Sequence, residues 1–437
     1  MNKKISISLA ITVALLAMTV TFSITMIVAM RMFDNQVQSV QEKESMYGKL
    51  SEIDKFVRAN YYGEINNDTL YDTIASGYIL GLGDRYATYY TAKAYTELQD
   101  MQNGKVMGIG VDVVKDASGA ARITKVYADS PADQMGMEVD GFITAIDGTE
   151  VKGLTRDNVV SRLRGESGTT VKLTYLTPSN EEQTLELTRA QYSTPSVEYQ
   201  LLAGNRGYIK ITAFNNNTPS ELSYAVSQLL NTGAAGLVLD VRNNSGDVLN
   251  AAEQCVDLLC GEGTVASAEY KDGTIETLYE SDDNKVDVPL VCLVNASTAS
   301  GAELFAANLR DMNGAQIVGV KTMGKGMLQS EPEKLSDGSA VVVTVAKLLT
   351  SLGDSFDGVG VVPDVESALT ADEEQMSYAL TVDTDPQIQR ALEVLSSMTG
   401  TGTESGSSSS QASSEASLES SSQSQEESSD SETSEEG

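Results

Sequence analysis

Apolar residues along this chain change their period several times, and each change marks a different kind of element. Residues Ile5–Met30 form a run with no charged side chain, preceded by Lys3 and Lys4 and closed by Arg31. The run is longer than the roughly 7–15 residues of a secretory h-region and suffices for the ~20 apolar residues of a bilayer crossing. No A-x-A cleavage pattern stands before Arg31. Residues 1–34 are therefore expected to be an uncleaved signal anchor, its lysine-bearing end inside. A cleaved signal peptide is the competing reading. Under the first the chain is single-pass in the cell membrane, under the second it is secreted, and both put the remainder outside the cytoplasm. Next, Leu50, Ile53, Phe56 and Val57 recur at helical spacing, and Thr69–Leu82 repeats apolar positions at steps of three and four. This predicts an N-terminal helical arm over 35–104, a packing or dimerising element.

From about Val106 the period shortens to two. Gly108–Val114, Ala121–Val126, Gly141–Ile146 and Thr170–Tyr175 alternate as short strands, punctuated by Ser118-Gly119, Asp147-Gly148 and Ser167-Gly168. A short helix is expected from an N-cap at Thr155 to Leu163. Together these predict a compact α+β module over 105–190. Beyond Ser196, apolar strands at Arg206–Ile211, Gly236–Val241 and Pro289–Val294 alternate with helical segments at Pro219–Asn231 and Val248–Leu259. That rhythm predicts an α/β domain with a largely parallel sheet over 191–398. Ligands of such sheets gather at the carboxyl ends of strands, where Asp240–Gly246 and Asn295–Gly301 fall. The last stretch, 399–437, is built mostly of Ser, Glu, Gln, Gly and Thr without Lys or Arg, a composition that cannot offset its ordering entropy and predicts disorder.

Composition narrows the chemistry. The formal net charge of −32 excludes nucleic acid as a partner, because phosphate binding wants a basic face. No histidine occurs among the 437 residues, so a Ser-His-Asp triad is excluded. A nucleophilic serine would need another base, and the usual substitute is a desolvated lysine. The three cysteines make no disulfide framework. Cys292 lies inside an apolar run, and Cys255 and Cys260 stand five apart, where a bridge is left open. With no histidine and no second cysteine pair, no metal site is expected.

Two segments carry candidate chemistry. Asn295-Ala-Ser-Thr-Ala-Ser-Gly-Ala-Glu303 follows a buried strand and leads into the apolar helix Leu304–Leu309. A serine at such a turn exposes its hydroxyl, and the helix N-terminus offers unpaired N–H groups to a developing oxyanion. The same serine also serves as an ordinary N-cap. In the second segment, Gly319-Val-Lys-Thr-Met-Gly-Lys-Gly-Met-Leu-Gln329, Lys325 stands between two glycines. Burial there would depress an amine's pKa enough for it to serve as base, whereas an exposed loop would leave it a loop lysine.

These strings resemble the carboxy-terminal processing peptidases, or tail-specific proteases, a family of serine proteases with a Ser-Lys site. The family's SASASE-like segment and its T-[FY]-G-K-G-x-x-Q segment look like Thr298–Glu303 and Thr322–Gln329, and the 25-residue step from Ser300 to Lys325 fits the family spacing. The resemblance implies Ser300 as nucleophile, Lys325 as general base and Gln329 as the residue that holds the lysine amine. A third element, L-D-L-R-N-N-x-G-G, is similar to Leu239–Asp247, which implies an oxyanion hole from the N–H groups of Gly246 and Gly301. Asp247 replaces the family's second glycine, Gly301 and Ala302 replace Ala-Ser after the nucleophile, and Met323 stands where the family has an aromatic residue. The module at 105–190 looks like a PDZ domain, with Gly108, Ile109, Gly110 and Val111 as its carboxylate-binding loop. The family implies a cofactor-free protease whose partners are protein C-terminal tails, with homodimerisation through the arm as a further expectation. The alternative is an inactive PDZ adaptor that binds tails without cutting them, motivated by Asp247.

Overall fold

The computed structural model describes residues 7–375, 377 and 380–400, so the Ser/Glu-rich tail lies, from residue 401, outside the described residues. Two compact units divide the chain, Met1–Gly83 and Asp84–Gly437. The first unit holds α1 (Ile7–Asn60) and α2 (Asn67–Leu80). The Asn66 side chain caps α2 by accepting the Thr69 N–H at 3.1 Å, which satisfies one orphan donor of the first turn. No helix among the described residues is long and apolar enough to cross a membrane.

The second unit begins inside the segment expected to be helical. Its β1 (Thr88–Tyr90) is followed by α3 (Ala92–Gln102), so the 35–104 arm is not helical throughout. Tyr86 to Tyr90 is rich in tyrosine, and such residues pair readily into strands. Strands β2 (Lys105–Gly108), β3 (Val111–Lys115) and β4 (Ala121–Val126) come next, then α4 (Pro131–Gln134) and β5 (Phe142–Ile146). The module closes with β6 (Thr149–Glu150), α5 (Arg156–Leu163), β7 (Thr170–Leu176), β8 (Glu182–Thr188) and β9 (Ala190–Ser193). Strands β3, β4, β5, β7 and β8 form one antiparallel sheet with β3 at its edge, while β2 pairs with β9. Ile123, Ile143, Leu173 and Tyr175 make a core separate from the rest of the unit.

The remainder is built on β10 (Val197–Leu202), β11 (Arg206–Ile211), α6 (Thr218–Asn231), β12 (Gly236–Asp240) and α7 (Leu249–Leu259). A hairpin of β13 (Gly263–Tyr270) and β14 (Ile275–Ser281) precedes β15 (Leu290–Val294), α8 (Gly301–Asn313) and β16 (Gln316–Gly319). Strands β17 (Met327–Gln329), β18 (Glu333–Lys334), β19 (Ala340–Val342), β20 (Thr344–Leu349) and β21 (Val365–Glu366) follow, then α9 (Ala371–Gln375) and α10 (Pro386–Thr399).

Parallel pairing is confined to one sheet of order β10-β11-β12-β15-β16-β21, where only β10–β11 is antiparallel. The sheets β14-β13-β20-β17 and β1-β19-β18 are antiparallel. The expectation of a largely parallel core is corrected accordingly: it missed two antiparallel sheets. Strands β12 and β15 are buried at every position, as strands covered on both faces must be. Ile209, Leu237, Leu239, Cys292 and Ile317 face α6, α7 and α8, whereas Tyr208, Val238, Val291, Leu293 and Val318 face α10. Cys255, Cys260 and Cys292 are free and buried.

Candidate active site

Ser300 ends the turn after β15 and is the N-cap residue of α8. An ordinary N-cap adopts extended backbone, yet Ser300 has φ 53° and ψ −119°. That conformation costs a non-glycine residue about 1–3 kcal/mol, so surrounding contacts must impose it. The fully buried Glu303 imposes it: its Oε2 accepts the Ser300 N–H at 2.9 Å.

The same carboxylate reaches the lysine segment. Oε2 also accepts the Lys325 N–H at 2.8 Å, while Oε1 accepts the Gly324 N–H at 2.6 Å and the Thr322 hydroxyl at 2.5 Å. Four donors compensate a buried charge that would otherwise be prohibitive. The backbones of Ser300 and Lys325, 25 residues apart in sequence, thus share one acceptor atom. Gly326 lets this loop lie against Asp357, since a Cβ there would stand 2.4 Å from the Asp357 nitrogen.

Lys325 is half-buried, and its amine lies 5.4 Å from the centroid of the Tyr86 ring. Arg85 stacks on the same ring at 4.5 Å and approaches Asp357 at 3.8 Å. Burial raises the Tyr86 phenol above its ordinary pKa, with Arg85 opposing. No hydrogen bond joins Lys325 to Ser300 among the described residues. Gln329 Nε2 donates to the Met327 carbonyl at 2.6 Å, and no hydrogen bond joins Gln329 to the lysine amine among the described residues.

Gly246 and Gly301 are brought together. Gly246 has φ 68°, and a Cβ on it would stand 2.4 Å from the nitrogens of both Gly301 and Ala302, so only glycine fits. The Gly301 N–H has no partner among the described residues. The Gly246 N–H donates to Asn244 Oδ1 at 2.9 Å, and Asn244 is itself anchored by its Nδ2 on the Ile211 carbonyl at 2.9 Å. As it stands, then, one of the two expected oxyanion donors is free and the other is engaged. Asp247 is exposed and accepts the Ser245 hydroxyl at 2.7 Å. Met323, in the family's aromatic position, is likewise exposed.

Sequence reasoning missed three contributors, Glu303, Asn244 and Tyr86. Glu303 and Asn244 lay inside the quoted motifs, but a side chain whose task is to hold backbone N–H groups leaves no chemical signature beyond its type.

In the 105–190 module, the Ile109 carbonyl accepts the Ala132 N–H at 2.8 Å and the Gly110 carbonyl accepts the Tyr127 N–H at 3.0 Å. The N–H groups of Ile109 and Gly110 have no partner among the described residues. A groove of about 480 Å³ between β3 and α5 opens beside this turn, lined by Ile109, Val111, Arg156, Val160, Arg164 and Tyr192.

The pattern of Peptidase family S41 matches residues 205–367, and that of the PDZ domain matches 122–177. The carboxy-terminal processing protease CtpA of Bacillus subtilis is 32% identical over 333 residues, 76% of this chain and 71% of that protein. This chain belongs to the carboxy-terminal processing proteases of family S41. A carboxyl-terminal-processing protease of Synechocystis is 35% identical over 324 residues, 72% of this chain and 74% of that one. A solved S41 protease from Bacteroides fragilis shares the fold, with a TM-score of 0.52 at 17% identity over 77% of this chain and 91% of its own. The chain is a serine-type peptidase with a PDZ domain.

Proposed function

We propose that this S41 protease uses Ser300 as nucleophile and Lys325 as general base, on protein tails captured by its PDZ domain. The observation that carries the reading is the shared acceptor: Glu303 Oε2 holds the N–H groups of both residues. Lys325 leaves the face of Tyr86 and takes the Ser300 proton as Oγ attacks the scissile carbonyl carbon. Apo sites commonly hold such pairs apart until substrate binds. The developing oxyanion meets the free Gly301 N–H, and the Gly246 N–H once it exchanges Asn244 for substrate. Lys325 then protonates the leaving amine, and water hydrolyses the acyl-enzyme by the same route. Gln329 steadies the amine by turning from the Met327 carbonyl. Tail capture uses the free N–H groups of the Gly108–Val111 turn for a terminal carboxylate and the β3 edge for an added strand.

The test is cleavage of unfolded casein at neutral pH by wild type, Ser300→Ala and Lys325→Ala. Only the wild type should cut, with losses of about 10⁴-fold or more in the variants. Undiminished cleavage by Ser300→Ala would falsify the assignment. Binding of tails without cleavage by the wild type would favour the adaptor.

The run Ile5–Met30 supports a membrane anchor with the catalytic part outside the cytoplasm. Within α1, the hydroxyls of Thr21 and Thr25 donate to the Ala17 and Thr21 carbonyls at 2.8 and 2.9 Å, which suits a medium without water. Exposed Tyr71 and Tyr78 on α2 support a homodimer through the helical unit. One experiment reads both. The protein should stay in carbonate-washed membranes and, after detergent extraction, sediment at twice the chain mass. Release by carbonate counts against the anchor, and the single-chain mass counts against the dimer.

A further inference from the structure

A cleft of about 1120 Å³ opens between the PDZ domain and the protease sheet, and Arg156 lines both it and the PDZ groove. On the PDZ side its walls are Val114, Lys115 and Arg156, and on the sheet side Glu198, Lys210, Asn243 and Asn295. The two cavities therefore meet at one side chain. If, as proposed, a terminal carboxylate sits at the Gly108–Val111 turn, an added strand must run upstream from Val111 toward Lys115. At about 3.3 Å per residue, the five residues of β3 bring roughly the fifth or sixth tail residue to the mouth of the cleft. Asn243 and Asn295 also line the cleft, in the two loops that carry Gly246 and Ser300.

Charge in this cleft departs from that of the chain. Its lining holds four cations, Lys115, Arg156, Lys210 and Arg242, against three carboxylates, Glu198, Asp240 and Asp385. Arg242 is bound to both Asp240, at 2.6 Å, and Asp385, at 2.9 Å. Glu198 is bound by Lys125 of β4. Lys115, Arg156 and Lys210 remain. The Lys115 amine donates to the carbonyls of Gly119 and Val151, with no carboxylate bonded to it. Arg156 donates from Nε to the Val113 carbonyl at 3.0 Å, and among the described residues its other nitrogens meet only the exposed Asp157, at 3.6 Å. Lys210 is exposed and has no ion pair among the described residues. In a protein of net charge −32, three cations without buried counter-charges along a peptide path mark a subsite.

We infer that this cleft is an upstream specificity subsite that selects substrate tails carrying acidic residues a few positions before the C-terminal segment. The inference rests on the proposed capture of tails by the PDZ domain and adds the class of tail. An extended chain of alternating Ser and Glu places a carboxylate at every second residue on one face, a row of acceptors for Arg156 and for Lys210, which stands opposite Glu198 on the neighbouring strand. Exposed ion pairs are each weak, so two or three together predict a preference of about five- to tenfold, screened by salt.

Fluorescence anisotropy on the full chain carrying Ser300→Ala tests this without cleavage. The probes are three labelled peptides with one shared apolar C-terminus, preceded by Ser alternating with Glu, Gln or Lys. Affinity should follow Glu, then Gln, then Lys, and the differences should collapse at high salt. Lys210→Glu, at an exposed position, should reverse the order. Equal binding of all three peptides overturns the acidic subsite and leaves tail capture standing. A preference for Glu that survives Lys210→Glu also overturns it, by placing the selectivity elsewhere. Binding of none of them overturns tail capture itself, and the subsite with it.

Discussion

Glu303 ties together the backbone of the two segments that make the candidate site. Its two oxygens accept four donors, and Oε2 alone serves the N–H groups of the proposed nucleophile and base. Glutamine in its place keeps one acceptor oxygen and turns an NH₂ toward the other donor pair. The Thr322 hydroxyl can reverse and accept from that NH₂, but a backbone N–H cannot. At least one N–H, of Ser300, Gly324 or Lys325, is then left facing a donor. Displacements of about an ångström in such sites cost about 10²-fold in rate. Glu303→Gln should therefore lower kcat by that order while KM and tail-peptide affinity hold within about twofold. Steady-state kinetics beside the anisotropy assay check this. An intact kcat would show that Glu303 only packs, and a parallel loss of PDZ binding would show a folding defect instead.

At the level of elements, legibility followed burial pattern. The all-buried strands β12 and β15 and the Thr155-capped α5 were plain in the sequence, because apolar runs and caps are local signals. Thr155 does accept the Asn158 N–H, at 3.3 Å. The hairpin β13–β14 was not legible. Its first strand is buried mid-length, and its second is mostly exposed at the sheet edge with bulges in the pairing, so neither shows a clean period of two. Strand β1 was hidden for another reason: three residues pair with β19 some 250 positions later, and no local pattern announces a contact of that range. The site divides in the same way. The candidates Ser300 and Lys325 were named from motifs that resemble a known family, and so was the pairing of Gly246 with Gly301, which do lie together. The bond from Gln329 to the Met327 carbonyl and the engagement of the Gly246 N–H by Asn244 are each made by a side chain to backbone two residues away, and depend on rotamers that composition does not encode.

For the molecule as a whole, the distribution of charge links stability to pH through one buried carboxyl in particular. Glu253 on α7 is buried, and its Oε1 has no hydrogen-bond partner. Burial pushes its pKa up to about 7, opposed only by a hydrogen bond from Asn250. The titratable groups about it, Asp257 one turn along α7 and Tyr279 of β14, bring it no positive charge. Its folded pKa lies above the unfolded value of 4.5, so below that value both states are protonated and folding incurs no penalty. As pH rises from about 4.5 to 7 the unfolded chain ionises first, and stability is lost across that window. Above pH 7 the loss is complete, at roughly 3–4 kcal/mol from a shift of this size at about 1.4 kcal/mol per unit. Glu253→Gln removes the titration while keeping the shape. Its melting temperature should gain on wild type by a margin that is small at pH 4.5 and grows up to pH 8. Because the amide is equally buried at both pH values, any fixed cost of the substitution cancels in that comparison. Scanning calorimetry of both proteins across the window decides the matter, since a difference in Tm that stays constant with pH would mean that Glu253 does not titrate there.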